Sequence, residues 1–175
     1  SKIEPLVAAP SSPDNIKRVR DVEGKPVGQV CIGSCVNSSY ADLMLAAKIL
    51  KGHKVHPDVS LAISPGSRQA LRMITENGAL SDLVSAGARV LECSCGPCIG
   101  MGQSPATGTV SLRTFNRNFP GRSGTANDQV YLCSPLTAAV SAITGKITDP
   151  RDVIKGSLSF TLPDKYVIDD SMILS

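Results

Sequence analysis

The segment VGQVCIGSCVNSSYADLMLAAKIL, residues 27–50, decides the fold of this chain. It begins with a β-rich run, Val27–Ile32, continues through a Gly/Ser loop that carries Cys35, and ends in a helix-forming stretch. Ser39 followed by Asp42 has the spacing of an N-terminal capping box. The apolar residues after it recur at a helical period. The segment therefore predicts a strand, a loop and a helix in succession.

The same alternation continues toward residue 145. Further strands are predicted at Val59–Ile63, Arg89–Glu92, Thr109–Phe115 and Gln129–Cys133. Further helices are predicted around Ala70–Ile74, ending at Asn77-Gly78, and at Leu80–Ala86 and Leu136–Ile143. Strands that alternate with helices of about ten residues favour parallel pairing in a layered domain. We expect a three-layer α/β/α domain with a mostly parallel sheet, over residues 27–150.

The two ends of the chain differ from this central part. Residues 1–26 hold four of the twelve prolines and little periodicity, so we expect an extended lead-in across a neighbouring surface. Residues 151–175 are expected to form a linker or edge segment toward a missing C-terminal domain, with Phe160–Ile168 either an edge strand or a linker. The N-terminus lacks both Met and the apolar core of a signal peptide. We interpret the chain as a piece of a longer protein.

Composition excludes several classes of function. A net charge of +3 without a Lys/Arg tract, and only 3% aromatic residues, argue against a nucleic-acid partner or a polybasic membrane surface. No apolar run approaches the roughly 20 residues of a membrane span. We expect a cytoplasmic protein, or one of the mitochondrial matrix in a eukaryote. At 175 residues the chain can bury a core without disulfides, so its six cysteines need another explanation.

Three of the cysteines lie in loops that follow predicted strands. Cys35 follows the first strand, and Cys95 and Cys98 form a C-x-x-C pair in a Gly/Pro-rich loop after the Arg89–Glu92 strand. Loops at the carboxyl ends of parallel strands share one edge of the sheet, where ligands bind. We therefore expect these thiols to converge at that edge of the sheet.

The number of ligands leaves several interpretations open. A structural zinc site needs four ligands, and three thiolates with a vacant position suit an iron–sulfur cluster whose open iron acts as a Lewis acid. Buried reduced cysteines or a redox C-x-x-C motif are further alternatives. A fourth zinc ligand would have to be Cys31, Cys93, His53 or His56. Each of these four has another explanation, and Cys31, Cys93 and Cys133 are expected to be packing residues.

A second constellation follows the Thr109–Phe115 strand. Asn116, Arg117 and Arg122 lie in one Gly-containing loop, and guanidinium groups bind carboxylates through two parallel hydrogen bonds. The alternative is a solvated basic loop. Beside an open metal site, the two arginines indicate a polycarboxylate substrate bound through one hydroxyl and its carboxylates.

Three runs together resemble the signature set of the aconitase superfamily. They are CIGSCVNSSY at Cys31–Tyr40, CGPCIG at Cys95–Gly100 and NRNFPGR at Asn116–Arg122, in the family's order and at its intervals. The resemblance extends from Ser12 to Pro150 and corresponds to the third domain of a much longer enzyme. The alternative within the family is the isopropylmalate dehydratase or homoaconitase large subunit.

Details inside these runs favour aconitase over that alternative. The Gly96-Pro97 pair and the Asn37–Tyr40 run are more similar to aconitase than to isopropylmalate dehydratase. Val36 stands where Thr is usual in the family. The reaction that this resemblance implies is the stereospecific conversion of citrate to isocitrate through cis-aconitate.

The resemblance also implies roles for individual residues. Three cysteines would ligate a [4Fe-4S] cluster with an exchangeable fourth iron, a neighbouring asparagine would lie next to that cluster, and two arginines would hold substrate carboxylates. These residues are Cys35, Cys95 and Cys98 for the cluster, Asn116 beside it, and Arg117 and Arg122 for the carboxylates.

The family's proton-abstracting serine and its histidine and acidic partners lie on other domains, and none of their motifs occurs here. We assign no catalytic residue to this piece and expect it to lack hydratase activity alone. Its expected partners are the remaining domains and a small tri- or dicarboxylate. A non-catalytic zinc-binding domain is the contrasting alternative.

Overall fold

The central element is a seven-stranded sheet in a computed structural model that describes residues 3–171. The strands are β1 Leu6–Ala8, β2 Ile16–Arg18, β3 Val27–Gly33, β4 Ser60–Ser64, β5 Arg89–Val90, β6 Val110–Arg113 and β7 Gln129–Cys133. Their order in the sheet is β2-β1-β7-β6-β3-β4-β5. Strands β3 to β7 pair in parallel, whereas β1 pairs antiparallel with both β2 and β7. The predicted α/β class with a mostly parallel sheet is confirmed.

Six helices and one short 3-10 turn complete the fold within residues 3–171. The helices are α1 Val19–Val22, α2 Tyr40–Leu50, α3 Arg68–Glu76, α4 Ala79–Ala86, α5 Pro135–Thr144 and α6 Pro150–Val153, and the 3-10 turn is Pro97–Ile99. The capping box predicted for α2 is present: Ser39 Oγ accepts a hydrogen bond from the Asp42 amide, and Asp42 accepts one from the Ser39 amide. Helices α4 and α5 end at glycines in the left-handed conformation, Gly87 and Gly145.

One face of the sheet is covered by helices. Val30, Ile32 and Leu112 point from β3 and β6 into a large apolar cluster that also holds Leu43 and Leu50 of α2. These five side chains are fully buried. This helical face contains most of the apolar core.

The opposite face is covered by a loop rather than by long helices. Cys31 of β3 and Val130 of β7 pack there with Phe115 and with Cys98 of the 3-10 turn. The chain moves in one direction from β3 to β5 and then returns across the sheet to β6, and right-handed crossovers in opposite directions lie on opposite faces. The third layer of the predicted three-layer domain is therefore the Gly/Pro-rich connection between β5 and β6. We call this side the loop face.

The first 26 residues contribute two strands that the sequence did not predict. Val7 and Ala8 of β1 pair with β7, and β2 pairs with β1, so this segment extends the sheet. Each of the two strands has only three residues, which is too short for a period of two to stand out among the prolines. The predicted domain boundaries stay a prediction.

The C-terminal segment lies across the outer surface of α2 and α3. Phe160 and Tyr166 both pack edge-to-face on Tyr40, with ring centroids 6.5 and 6.2 Å away, and Arg72 forms an ion pair with Asp169 at 3.5 Å. No strand forms in Phe160–Ile168, so the edge-strand alternative is wrong. The last residues of the expected linker, 172–175, lie outside the described part. Within residues 3–171, no helix combines the length and the apolar character needed to cross a membrane.

Candidate functional site

The sheet changes direction between β3 and β6. From β3 the chain proceeds to β4 and β5 on one side, whereas β6 and β7 lie on the other side of β3. Crevices for ligands in open α/β sheets form at such a switch point, beyond the carboxyl ends of the strands. The loop with Cys35 follows β3, and the loop with the two arginines follows β6. Cys35 and the two arginines therefore follow the strands at the switch point, whereas Cys95 and Cys98 follow β5 at the edge of the sheet.

The loops after β3 and β6 are bound to each other through Thr114. Its hydroxyl accepts a hydrogen bond from the Gly33 amide at 2.9 Å, and its carbonyl accepts one from Asn37 Nδ2 at 2.6 Å. Gly33 has a positive φ of 128°, and a Cβ at this position would overlap the backbone of Ser64. Glycine is needed here because the first loop must turn close against β4.

The loop after β5 carries Cys95 and Cys98 and is called the cysteine loop below. It contacts the loop after β3. Ser34 Oγ lies 2.7 Å from Cys98 Sγ, and either atom can donate the hydrogen bond. Cys98 is buried beneath this contact, whereas Cys35 and Cys95 are exposed. Ser34 is itself buried and has a positive φ of 70°, which is uncommon for a residue with a side chain. The contact fixes Cys98 next to the residue that precedes Cys35.

The loop after β6 carries Arg117 and Arg122 and is called the arginine loop below. The backbone of the cysteine loop also lies directly against it. Gly100 has a φ of +83°, and a Cβ there would overlap the carbonyl oxygen of Ser123. A Cβ on Gly124 would likewise overlap Ser104 Oγ. Since Ser123 directly follows Arg122, the close approach at Gly100 joins the two loops. The three predicted loops thus contact one another at one edge of the sheet.

The six predicted site residues differ in exposure. Cys35, Cys95, Asn116 and Arg117 are exposed, Arg122 is half-buried and Cys98 is buried. Within residues 3–171, no group of three or more His, Cys, Asp or Glu side chains is close enough to hold a single metal ion. The structure thus brings the three loops together without forming a compact metal site. The assignment of these three cysteines as ligands stays a prediction.

The two histidines considered as zinc ligands lie far from the three thiols in the fold. His53 and His56 are in the connection from α2 to β4, at the amino edge of the sheet. The His56 ring packs against Gly145 at the end of α5. The cysteine loops lie at the carboxyl edge, so neither imidazole completes a zinc site with them.

Two of the cysteines expected to be packing residues are core residues. Burial raises the pKa of Cys31 to about 11 and that of Cys133 to about 12. Both remain neutral thiols near neutral pH, and their packing role is confirmed. Cys93 is half-buried, and its pKa is raised by burial and by the neighbouring carboxylate of Glu92.

The arginine loop presents an unpaired donor. Within the described chain, Arg122 Nε is buried without a hydrogen-bond partner, and its guanidinium lies over the Phe119 ring with 5.8 Å between Cζ and the ring centroid. Arg117 is exposed and forms no ion pair among residues 3–171. The role of these arginines in binding carboxylates stays a prediction.

A cavity of about 310 Å³ opens beside Cys35. Its walls come from the N-terminal ends of α2 and α3 and include Ser39, Ser67 and Gly66, and Tyr166 of the C-terminal segment lies at its rim. Ser39 and Ser67 cap the two helices. Apolar side chains, among them Ala70 and Met73, form the rest of the lining, so the space next to the exposed thiol is of mixed polarity and of the size of a small ligand.

Two buried polar residues of the site region were not predicted. Asn118 lies between the predicted Arg117 and the rest of the loop, and its Nδ2 donates to the Ala9 carbonyl at 2.7 Å, which fixes the loop to the N-terminal segment. Arg113 is fully buried at the end of β6. In the sequence, the only signal was that Ser111 and Arg113 put polar side chains on the same face of a predicted strand.

The sequence pattern of the aconitase family (aconitate hydratase) matches residues 4–145. The chain belongs to the aconitase family. Its relatives include the 3-isopropylmalate dehydratase large subunit 1 of Methanopyrus kandleri, which is 50% identical over 86% of this chain and 36% of the relative. The 3-isopropylmalate dehydratase large subunit of a Sulfurihydrogenibium species is 48% identical over 89% of this chain and 36% of that relative. The methanogen homoaconitase large subunit of Methanocaldococcus jannaschii is 46% identical over 86% of this chain and 36% of that relative.

These relatives sharpen the family assignment. The chain spans about a third of the length of the curated relatives it matches. The predicted membership of the aconitase superfamily is confirmed. The relatives carry the names of the within-family alternative, isopropylmalate dehydratase and homoaconitase, rather than aconitate hydratase. The preference for aconitase that was drawn from Gly96-Pro97 and Asn37–Tyr40 is not confirmed by these relatives.

Proposed function

We propose that this chain is the cluster- and carboxylate-binding part of an aconitase-family hydro-lyase that acts on a small hydroxy di- or tricarboxylate. The observation that carries the proposal is the mutual contact of three loops at the switch point. Through Ser34, Cys98, Gly100 and Ser123, these contacts join the cysteine loop to both neighbours. These contacts support a single site that combines donors for a cluster with donors for a carboxylate.

The donor set fits a [4Fe-4S] cluster better than a single zinc ion. Cys35, Cys95 and Cys98 are free thiols, and a cluster binds each thiolate through a different iron atom, so the three need not meet at one point. When bound, the cluster would supply a Lewis acid at the iron that lacks a protein ligand. The chain's own part is to hold the three thiolates and to leave that fourth position open.

The arginine loop supplies recognition of the substrate. Arg117 is exposed, and Arg122 has a buried Nε that lacks a partner among the described residues. Each guanidinium can bind one carboxylate in bidentate fashion, so the two together can orient a dicarboxylate. Asn116, an exposed residue at the start of the same loop, adds a neutral donor and acceptor.

The relatives' names make isopropylmalate or a homoaconitate-type acid the first substrate candidates. Citrate, the substrate of the aconitase that the sequence motifs favoured, is the second candidate. Because the chain spans 36% of those relatives, we propose that the proton-abstracting group and the rest of the substrate pocket are on other domains or a partner subunit. A cytoplasmic location remains part of the proposal.

The proposal is tested by anaerobic reconstitution of the purified chain with iron and sulfide. We expect about four iron atoms per chain and a broad visible charge-transfer absorption. Cys35→Ser should lose both signals, whereas Cys93→Ser, a change in the same region at a residue outside the proposed ligand set, should keep them. Stoichiometric zinc uptake with no bound iron would contradict the cluster and support the zinc-binding alternative.

Substrate class is tested by titrating the reconstituted chain with isopropylmalate, homoaconitate and citrate. Arg122→Lys replaces a planar two-point donor by a point charge and should weaken carboxylate binding about tenfold. Arg89→Lys, an exposed arginine outside the site, should leave the dissociation constant unchanged. Equal loss in both variants would show that only net charge matters and would contradict the assigned role of the loop.

A further inference from the structure

A fully buried arginine lies beneath the cysteine loop. Arg113 is the last residue of β6, points to the loop face and has no exposed surface. Its guanidinium is stacked over the Phe115 ring, with Cζ 5.5 Å from the ring centroid. Burial lowers the pKa of this guanidinium, yet arginine stays charged in proteins. A buried charge is costly, so its hydrogen bonds, together with the attraction of the Asp128 carboxylate, have to compensate for lost water.

The Arg113 guanidinium is satisfied by four uncharged oxygens. Nε donates to Ser111 Oγ at 3.0 Å, and Nη2 donates to Gln29 Oε1 at 2.8 Å. The other two acceptors are main-chain carbonyls of the cysteine loop: Nη1 donates to Pro97 at 2.8 Å and Nη2 to Gln103 at 2.7 Å. One side chain of the sheet thus holds both ends of the segment 97–103.

Gln29 adds to this attachment from the neighbouring strand. Its Nε2 donates to the same Gln103 carbonyl at 3.2 Å, and its Oε1 accepts from Ser111 Oγ at 2.7 Å. Gln29 and Ser111 are partners in the parallel register of β3 and β6. The side chains that hold the cysteine loop are therefore carried by two paired strands, β3 and β6.

The attached segment has little regular structure of its own. It contains the single 3-10 turn Pro97–Ile99, and Gly100 and Gly102 both have positive φ angles. Cys98 lies one residue after the Pro97 carbonyl that Arg113 holds, and Cys95 lies two residues before it. The position of both thiols consequently depends on bonds from the sheet rather than on a helix.

We propose that Arg113 is a positioning residue, which fixes the cysteine loop on the sheet and so preorganises Cys95 and Cys98. In the free chain it keeps Cys98 covered. Its consequence for cluster retention rests on the proposed function, but the attachment of the loop does not. Arg113→Met keeps much of the length and apolar volume while removing every donor.

The test is alkylation of the metal-free chain under native conditions, with each cysteine resolved by peptide mass spectrometry. In Arg113→Met, the rate at Cys98 should rise by at least about tenfold, because the hydrogen bonds that close the loop are lost. Cys133, on the helical face, should react no faster than in the unaltered chain. An unchanged rate at Cys98 would overturn the proposal.

Arg151→Met is the matched control for general destabilisation. Arg151 also forms several hydrogen bonds, to Asp149 and Glu4, but it lies away from the cysteine loop. Equal acceleration at Cys98 in both variants would overturn the positioning role. If Arg113→Met does not fold, Arg113→Lys retains the charge with fewer donors and should accelerate Cys98 by a smaller factor, again without a change at Cys133.

Iron release to a chelator then connects this residue to the cluster. If the unaltered chain binds a cluster, Arg113→Lys should lose iron several-fold faster than Arg151→Lys. If the unaltered chain binds no iron while the alkylation result holds, the proposed function fails and the positioning of the loop stands. Slow release in Arg113→Lys, equal to that of the control, would contradict the connection.

Discussion

The two faces of the sheet use the same strands for different purposes. On the helical face, Val30 and Leu112 lie in a continuous apolar core. On the loop face, their neighbours Gln29, Ser111 and Arg113 form a buried hydrogen-bond network with a loop. Successive residues of a strand point to opposite faces. Adjacent residues such as Leu112 and Arg113 therefore lie in an apolar core and in a polar network, respectively.

The difference shows how this domain separates stability from positioning. Apolar contacts are non-directional, and they stabilise the fold without specifying where a loop atom lies. Hydrogen bonds from a buried guanidinium are directional, and they hold Pro97 and Gln103 at defined points. We therefore expect changes on the helical face to alter the free energy of unfolding and changes on the loop face to alter the site.

The largest effect on stability is expected for Leu112→Ala on the helical face. The side chain is fully buried, and its truncation leaves a cavity, so the free energy of unfolding should fall by about 2–5 kcal/mol. Urea denaturation measures this. The same substitution at Leu162, which is half-exposed, should change it by no more than about 0.5 kcal/mol. Equal effects at the two positions would contradict the division of the faces.

The next largest effect on the free energy of unfolding is expected from substitution of a glycine in the cysteine loop. Gly102→Ala introduces only the strain of a left-handed residue, about 1–2 kcal/mol, since its Cβ would meet open space. Gly100→Ala adds an overlap with the Ser123 carbonyl and should cost about 1–3 kcal/mol more. It should also displace the cysteine loop from the arginine loop and reduce iron uptake, which Gly102→Ala should not. Equal iron uptake in both variants would count against contact between the loops.

The buried thiol of Cys133 on the helical face should make the free energy of unfolding depend on pH in the alkaline range. Burial raises the pKa of Cys133 from 9.0 to about 12, so the folded state keeps a proton that the unfolded state loses. This contribution to stability is complete below the unfolded pKa and is lost as pH rises, at about 1.4 kcal/mol per pH unit. Between about pH 9 and pH 11, Cys133→Val should lose stability less steeply than the unaltered chain. If the free energy of unfolding falls with pH equally in both proteins, this role of Cys133 is contradicted.

The smallest effect concerns the cap of α2. Ser39→Ala removes the acceptor for the Asp42 amide and should lower the free energy of unfolding by about 1 kcal/mol, with unchanged iron uptake. Ser85→Ala, at an exposed serine inside α4, is the control and should have an effect below about 0.5 kcal/mol. A large loss of iron in Ser39→Ala would show that the helical face also positions the site.

Much of the helical face could be predicted from the sequence. Helix α2 has a capping box and a period of apolar residues, and α5 has a Ser-Pro start and a glycine end, so local signals agree with the tertiary structure. Strand β7 was predicted with its observed bounds, Gln129–Cys133. Strands β1 and β2 were missed because three residues carry no period, and they form only by pairing with β7.

The loop face was less predictable for a physical reason. The contact of the three loops follows from strand order, which the sequence suggests only through the rule that ligands bind at carboxyl ends. A polar side chain such as Arg113 in a predicted strand is normally expected to face water. Its burial depends on carbonyls of a distant loop, Pro97 and Gln103, and no local pattern identifies such partners.

Hydrogen exchange of the chain before and after anaerobic reconstitution tests most directly whether the three loops form one site. At about four iron atoms per chain, protection should increase in residues 33–38, 95–103 and 114–124 together, with no change in α2, α4 and α5. Reconstituted chain in which the cysteine loop alone becomes protected, or in which protection appears on the helical face, would contradict the account.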